Sequence, residues 1–447
     1  MRKLNNILRP ENLIARYVVA FIPGLLVGLR ILPVSVLVVV QCIIAAICIL
    51  QCLKGNIASF FSWVPYAIYI EVFVRGFAKW FPYLTVQYLL IICFSILFFT
   101  VPRLKRPHSN AWFFLVLFMF VEIINNIYPD KPTIGRQILT QSFALLIPVV
   151  WSSYNVLKPV LINRLLTHIK VAAVFLAGIV FAAHLTGKIS YGLYSNSDAS
   201  NGLAPVQLSG YLGLGCVLFF LSIMNPQERK NRVVNTVVLA VVATVMVLTF
   251  SRGGLYFLGG VVALFFFYNR DKLASYARML IFIPIGLFIY MYVVNQTGGK
   301  ILARYEEEGT SNRDVLVNIG FTLFSQHLIF GVGTGNFNTT ILREKLYPEE
   351  SGAHNEYVRA AAEHGIIGIF FYWGFYVFLL LEILKRKEPE KQYAMYFFVL
   401  FCMIIVHNGL KIGIQPILMM LVIATPTVMY YNKKNVYDKE LTERELA

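Results

Sequence analysis

About fourteen continuous apolar runs, each roughly 15 to 23 residues long, follow one another along this chain with short polar breaks between them. In hydrocarbon every backbone N–H and C=O needs a partner within the chain, so only helices and closed barrels can span a membrane. Barrel strands leave ~10-residue segments of alternating polarity. The runs here do not alternate, which predicts helices. The chain is 58% hydrophobic and 14% charged, against about 25% charged residues in a soluble domain. The expected fold class is an all-α polytopic membrane protein with about 12–14 transmembrane helices. The range reflects two features. The first two runs flank Pro33 and fit one kinked hairpin as well as two spans, and several runs are short for a ~30 Å hydrocarbon core.

The formal net charge is +16. In a soluble protein that excess would raise nucleic acid as a partner; here the positive-inside rule accounts for it, and no nucleic acid is expected. The clusters Arg103-Leu104-Lys105-Arg106, Arg229-Lys230-Asn231-Arg232, Asn269-Arg270-Asp271-Lys272 and Lys385-Arg386-Lys387 fall in alternate loops. The N-terminal Arg2, Lys3, Arg9 and Arg16 and the tail residues Lys433 and Lys434 fall on the same side, so both termini are expected in the cytoplasm. The chain divides into helices over 1–296, a water-facing insert over 297–363, further helices over 364–432 and a tail over 433–447. The insert and the Ser251-Arg252-Gly253-Gly254 turn then lie on the side away from the cytoplasm. All six cysteines lie in apolar runs, so neither a disulfide nor a zinc site is implied. The first apolar run has no small-residue cleavage site behind it and is expected to remain as a span.

Within the apolar runs charge is sparse: Glu71, Glu122, His168, Lys170, His184, Glu382 and His407. Such residues are functional candidates by default, although those at run ends, Glu382 among them, fit snorkelling to the interface. Arg252 follows an apolar run and precedes two glycines, which permit a tight turn and a close ligand approach. Its planar fork suits a lipid-linked phosphate; a helix-end anchor at the head-groups is the alternative. In the insert, Asn312-Arg313-Asp314 opens a helical pattern ended by His327, and Arg304 rivals Arg313 as a phosphate contact. Gly331, Gly333 and Gly335 in GVGTGNF fit an anion nest and a structural turn equally well. His354 at a helix start is placed to act as a general base, or to be a satisfied structural histidine. Arg359 and Glu363 have the spacing of a helical ion pair, and Gly365 that of a helix end. Asn201 reads as the N-cap of the helix that follows it. The sequence holds no DxD, HExxH or GxSxG motif, so no metal is expected, and the Glu306–Glu308 and Glu349-Glu350 acids read as solvated surface.

SRGG after an apolar run, Asn-Arg heading a helix, then HLIFGVGTGNF, then HNEYVRAAAEHGIIG leading into a span, resembles the O-antigen ligase and polymerase superfamily over about Phe250–Trp373. Asn201-Gly202-Leu203-Ala204 fits as well. The resemblance implies a GT-C-type membrane glycosyltransferase, metal-independent, inverting and without a cofactor, in the bacterial inner membrane. It implies transfer of a glycan from undecaprenyl diphosphate to the lipid A core, or to another glycan acceptor, on the periplasmic face among membrane lipids. Carried over by motif, His354 is the catalytic histidine, Arg252 and Arg313 hold the diphosphate, Asn355 orients the histidine, and Gly331, Gly333 and Gly335 shape the loop beside them. No arginine is followed by glycine eleven positions on, and the polymerases resemble one another in that Arg-x10-Gly spacing, so the ligase is the first expectation and the polymerase the alternative. A transporter or flippase would need a charged path at mid-depth, for which His168, Lys170, His184 and His407 are the candidates.

Overall fold

The computed structural model describes residues 12–424 apart from 79, 127–129, 188, 190, 193–196, 308–312, 389 and 410–411. The tail 433–447, the N-terminal Arg2, Lys3 and Arg9, and Glu308 and Asn312 of the insert lie outside the described residues. Every regular element among the described residues is helical. In chain order these are α1 (Leu13–Gly28), α2 (Val34–Leu53), α3 (Ile57–Phe77), α4 (Thr85–Thr100), α5 (Trp112–Asn125), α6 (Pro132–Ser153), α7 (Pro159–Leu185), α8 (Pro205–Met224) and α9 (Arg232–Leu248). There follow α10 (Gly253–Asn269), α11 (Leu273–Met279), α12 (Phe282–Gln296), α13 (Lys300–Glu307), α14 (Arg313–Gln326), α15 (Phe337–Arg343), α16 (Glu356–Gly368), α17 (Gly374–Leu384), α18 (Glu390–Asn408) and α19 (Gln415–Ala424).

Within the described residues, each predicted apolar run falls on a helix or, around 276–295 and 365–384, on consecutive helices. Eight segments are long and apolar enough to cross a membrane, and α1, α4, α5, α10 and α19 are shorter apolar helices of 10–17 residues. The protein is an all-α polytopic membrane protein. Proline sets several starts: α6, α7 and α8 each carry it in their first turn, where its missing N–H leaves no intrahelical bond unmade. The helix ends sort by charge. Arg103–Arg106 precede α5, Arg229–Arg232 precede or open α9, Arg270 follows α10 and Lys385–Lys387 precede α18, whereas the insert meets the opposite ends of these four helices.

Small residues let backbones touch. A Cβ at Gly24 would lie 2.1 Å from the Phe175 carbonyl oxygen, and one at Gly178 would lie 2.5 Å from that of Phe21. This close α1–α7 crossing uses the Gly24/Gly28 pair in the manner of a small-xxx-small motif. Asn201, expected to cap α8, does something else. Its backbone is left-handed (φ 56°), and its amide donates to the Gly28 and Ile179 carbonyls at 3.0 and 2.8 Å. It ties α1 to α7, and α8 begins after Ala204 with no side-chain cap. The intramembrane charges are likewise engaged. Glu71 accepts from the Val86 N–H (3.1 Å), Lys170 donates to Ser222 (2.8 Å), His168 meets the Tyr66 hydroxyl (2.9 Å), and Glu382 accepts from the Ser109 hydroxyl (2.6 Å) and the Asn110 N–H (3.1 Å). Glu382 therefore holds a helix start rather than snorkelling.

The insert is largely helical and has its own small core, in which Leu316, Ile319 and Leu323 of α14 pack with Phe337, Ile341, Ala353 and Ala362. It is joined to α16 by an exchange of backbone bonds. Gly365 does not end α16. At φ 62° and ψ −150° it opens the helix, which resumes and runs through a π-helical turn at Ile369–Trp373. At this break the Ala362 and Glu363 carbonyls accept the N–H groups of Val332 and Gly333 (2.9 and 3.0 Å), and the Ile366 N–H donates to the Leu328 carbonyl (2.8 Å). The two strands of chain are so close that a Cβ at Gly331 would lie 2.2 Å from the Glu363 carbonyl carbon, and one at Gly365 would lie 2.5 Å from two carbonyl oxygens.

Charge fixes the same helix from its other face. Arg359, predicted to pair with Glu363, donates to three carboxylates: Glu356 (2.6 Å), Glu363 (2.8 Å) and, across from α5, Glu122 (3.0 Å). All four groups are buried. His364 lies 3.7 Å from Glu122 and 3.2 Å from the Asn125 amide.

Two outcomes follow for folding. Arg359→Leu leaves three carboxylates buried without their cation, a change expected to destabilise by roughly 3–5 kcal/mol and to move the protein from the monodisperse to the aggregated peak in gel filtration of a detergent extract. Gly365→Ala is expected to do the same, because its φ/ψ is open essentially to glycine alone. Gly259→Ala, where an added Cβ meets nothing within 4 Å, is expected to elute as the parent does.

Candidate active site

The turn before α10 presents Arg252. Its geometry comes from Phe250, whose φ of 60° reverses the chain, and not from the glycines. Phe250 is fully buried and stacks on Tyr191 at 5.5 Å, which holds a backbone state that a bulky residue seldom adopts. Ser209 of α8 braces the turn by donating to the Ser251 carbonyl (3.1 Å) and accepting from the Gly254 N–H (2.8 Å). Gly253 and Gly254 lie within α10, where their missing side chains admit neighbours. A Cβ at Gly253 would lie 2.3 Å from the His407 ring, and one at Gly254 would lie 2.5 Å from the Ser209 carbonyl oxygen.

The insert supplies two further arginines. Arg304 on α13 is buried, and its carbonyl accepts from Arg252 Nη2 at 3.0 Å. Arg313, the first residue of α14, donates from Nη1 to the His407 carbonyl (3.1 Å) and to the ring Nδ1 of the same residue. Burial pulls the Arg313 guanidinium below its ordinary value, though an arginine stays a cation at neutral pH. His354 precedes α16 in the left-handed region at φ 52°. Asn355 is the N-cap of α16, and its side-chain oxygen accepts from the Tyr357 and Val358 N–H groups (3.0 and 3.4 Å). That oxygen therefore starts the helix that His354 leads, which is a different task from the one implied for Asn355 by the resemblance.

Arg252, Arg304, Arg313, His354, Asn355 and His407 all line one cavity of about 670 Å³. Asp314 adds one carboxylate against the three guanidiniums. The rest of the wall is mainly apolar, drawn from Val206 of α8, Tyr256 and Phe257 of α10, and Phe398, Val399, Met403 and Val406 of α18. A cationic end beside an apolar trough can take a group with an anionic head and a hydrocarbon tail. Five of the sequence-predicted site residues meet here, and Arg304 and Arg313 face the cavity together rather than as rivals.

Gly331, Gly333 and Gly335 do not line this cavity. The N–H groups of Gly331, Val332, Gly333 and Thr334 donate to His327, Ala362, Glu363 and Asn125, so those amides are not free to cradle an anion. The glycine spacing serves the packed junction with α16 and the first turn of α6, where a Cβ at Gly335 would lie 3.0 Å from the Gly135 nitrogen. His407 is the site residue that the motif pattern missed. Its signal was that of an intramembrane histidine, weighed there as part of a transport path; its neighbour is Arg313, 94 positions earlier.

Residues 236–373 match a family model described as O-antigen ligase, and residues 1–235 and 374–447 lie outside the match. No curated protein matches the chain. The matched span holds Arg252, Arg304, Arg313, His354 and Asn355 but stops before His407, and with it the chain carries a domain of the O-antigen ligase family.

Proposed function

We propose that this protein is an O-antigen ligase that moves a glycan from undecaprenyl diphosphate to a hydroxyl of the lipid A core, on the periplasmic face of the bacterial inner membrane. One observation carries the reading: three arginines and His354 converge on a single cavity whose remaining wall is mainly apolar. The diphosphate fits the cationic end and the first isoprene units fit the trough. The sidedness is supported by the basic loops, which precede or follow the ends of α5, α9, α10 and α18 that lie away from the insert.

The chemistry is a single displacement, as in other GT-C enzymes. The acceptor oxygen forms a bond to the anomeric carbon while the bond from that carbon to the phosphate oxygen breaks, and the configuration inverts. The hydroxyl proton passes to His354 as general base. The departing electron pair stays on the lipid diphosphate, where fixed guanidiniums stabilise the growing charge. No metal takes part. Desolvation of Arg313 favours this, because a guanidinium removed from water interacts more strongly with an anion.

His354→Ala is expected to remain in the membrane at parental level and to lose transfer by roughly 10²–10⁴-fold, the worth of a general base; transfer at the parental rate would sink the base assignment. Arg252→Lys keeps a charge but not the bidentate fork, and transfer is expected to fall about tenfold or more. A chromosomal deletion separates ligase from polymerase on a lipopolysaccharide gel. Bare core with accumulated lipid-linked chains supports the ligase, and core capped by one repeat unit supports the polymerase.

A further inference from the structure

His354 lines a second cavity as well. This one is about 240 Å³, and it shares Ala353, His354 and Asn355 with the first. Its chemistry is the reverse of its neighbour's. Glu356 and Glu363 face it together with Arg359, and Gln141 of α6 and Asn338 of α15 add amides. Gln141 and Asn338 are half-buried, and neither side chain bonds to another described residue. Amides with unused donors and acceptors, beside carboxylates, suit a neutral ligand rich in hydroxyls. They do not suit a phosphate, which the carboxylates repel. The volume accommodates a sugar ring and not a lipid chain.

We infer that this second cavity is the acceptor site: it holds the sugar whose hydroxyl is glycosylated, with Gln141 and Asn338 as its binding residues and His354 in the wall between acceptor and donor. The inference rests on the glycosyl-transfer reading above. It adds a division of labour by charge, with anions on the arginine side of His354 and hydroxyls on the carboxylate side. The acceptor proton then has a direct path to the ring, and the carboxylates stay committed to Arg359. Gln141 and Asn338 are positioned to set acceptor affinity without touching the donor.

The test measures binding of separate probes to the full-length protein in phospholipid nanodiscs. One probe is undecaprenyl diphosphate. The others are glycans without lipid: acid-released core oligosaccharide and a free O-antigen repeat unit. Gln141→Leu and Asn338→Leu should each weaken the glycan that the parent binds by roughly 3- to 10-fold, the loss of one neutral hydrogen bond, and leave undecaprenyl diphosphate binding unchanged. Arg252→Lys should do the opposite. Glycan affinity unmoved by both polar variants overturns the acceptor site, as does a parent that binds neither glycan, or loss of undecaprenyl diphosphate binding in step with the glycan. If Arg252→Lys alone fails to weaken undecaprenyl diphosphate, the donor reading falls and the acceptor assignment keeps its own support.

Discussion

Arg359 holds the structure's working end together. One guanidinium meets carboxylates from α5 and α16 at 2.6 to 3.0 Å, all four groups being largely buried. Removing ions from water is costly, and such a group is stable only when each charge is paired with good geometry. Here the geometry requires α16 to lie at one depth and one rotation against α5. His354 and Asn355 sit at the head of α16, so the network that anchors the helix also sets where the imidazole stands.

Two backbone strains flank the cavity. Phe250 and His354 both hold positive φ without being glycine, and such states persist where the surroundings over-determine them. At Phe250 these are full burial and the Tyr191 stack. At His354 they are the capped start of α16 on one side and the insert's core, through Ala353, on the other. The arginines are fixed by a different means, backbone carbonyls. Arg252 reaches that of Arg304, and Arg313 reaches that of His407. Two pairs of stretches distant in sequence are thus tied at the cavity wall, α10's start to α13 and α14's start to the end of α18.

Much of this was legible in the sequence because it rests on local rules. Unbroken apolar runs become helices wherever the chain must satisfy its own backbone, and within the described residues each run does. Arg252 could be found because a cation at the edge of an apolar run stands out against its neighbours, and Arg313 and His354 because each heads a helical pattern in the insert. The misreadings share one cause: the decisive partner was far away in sequence. Asn201 looked like a cap because it precedes a helix, yet its partners are Gly28 at the end of α1 and Ile179 within α7. The alternate glycines of GVGTG fitted a phosphate nest and a structural turn equally, and what decides for the turn is the distant opened helix at Gly365. Gly365 itself carried the signature of a helix end and proved to be a break within a continuing helix. His407 had no nearby motif at all.

That break has a mechanical meaning. Segment 328–333 and segment 362–366 exchange backbone hydrogen bonds much as paired strands do, and Asn125 of α5 adds a side-chain bond to the Phe330 carbonyl at 3.0 Å. Swinging the insert away as a flap would break these bonds together, each worth about 0.5–1.5 kcal/mol, and would pull apart contacts that tolerate no added methyl group. Segments 328–333 and 362–366 are therefore held to each other and to the end of α5. The cavity's exposed flank is elsewhere, between α10 and α18, where its lining residues Tyr256 and Val406 reach the surface.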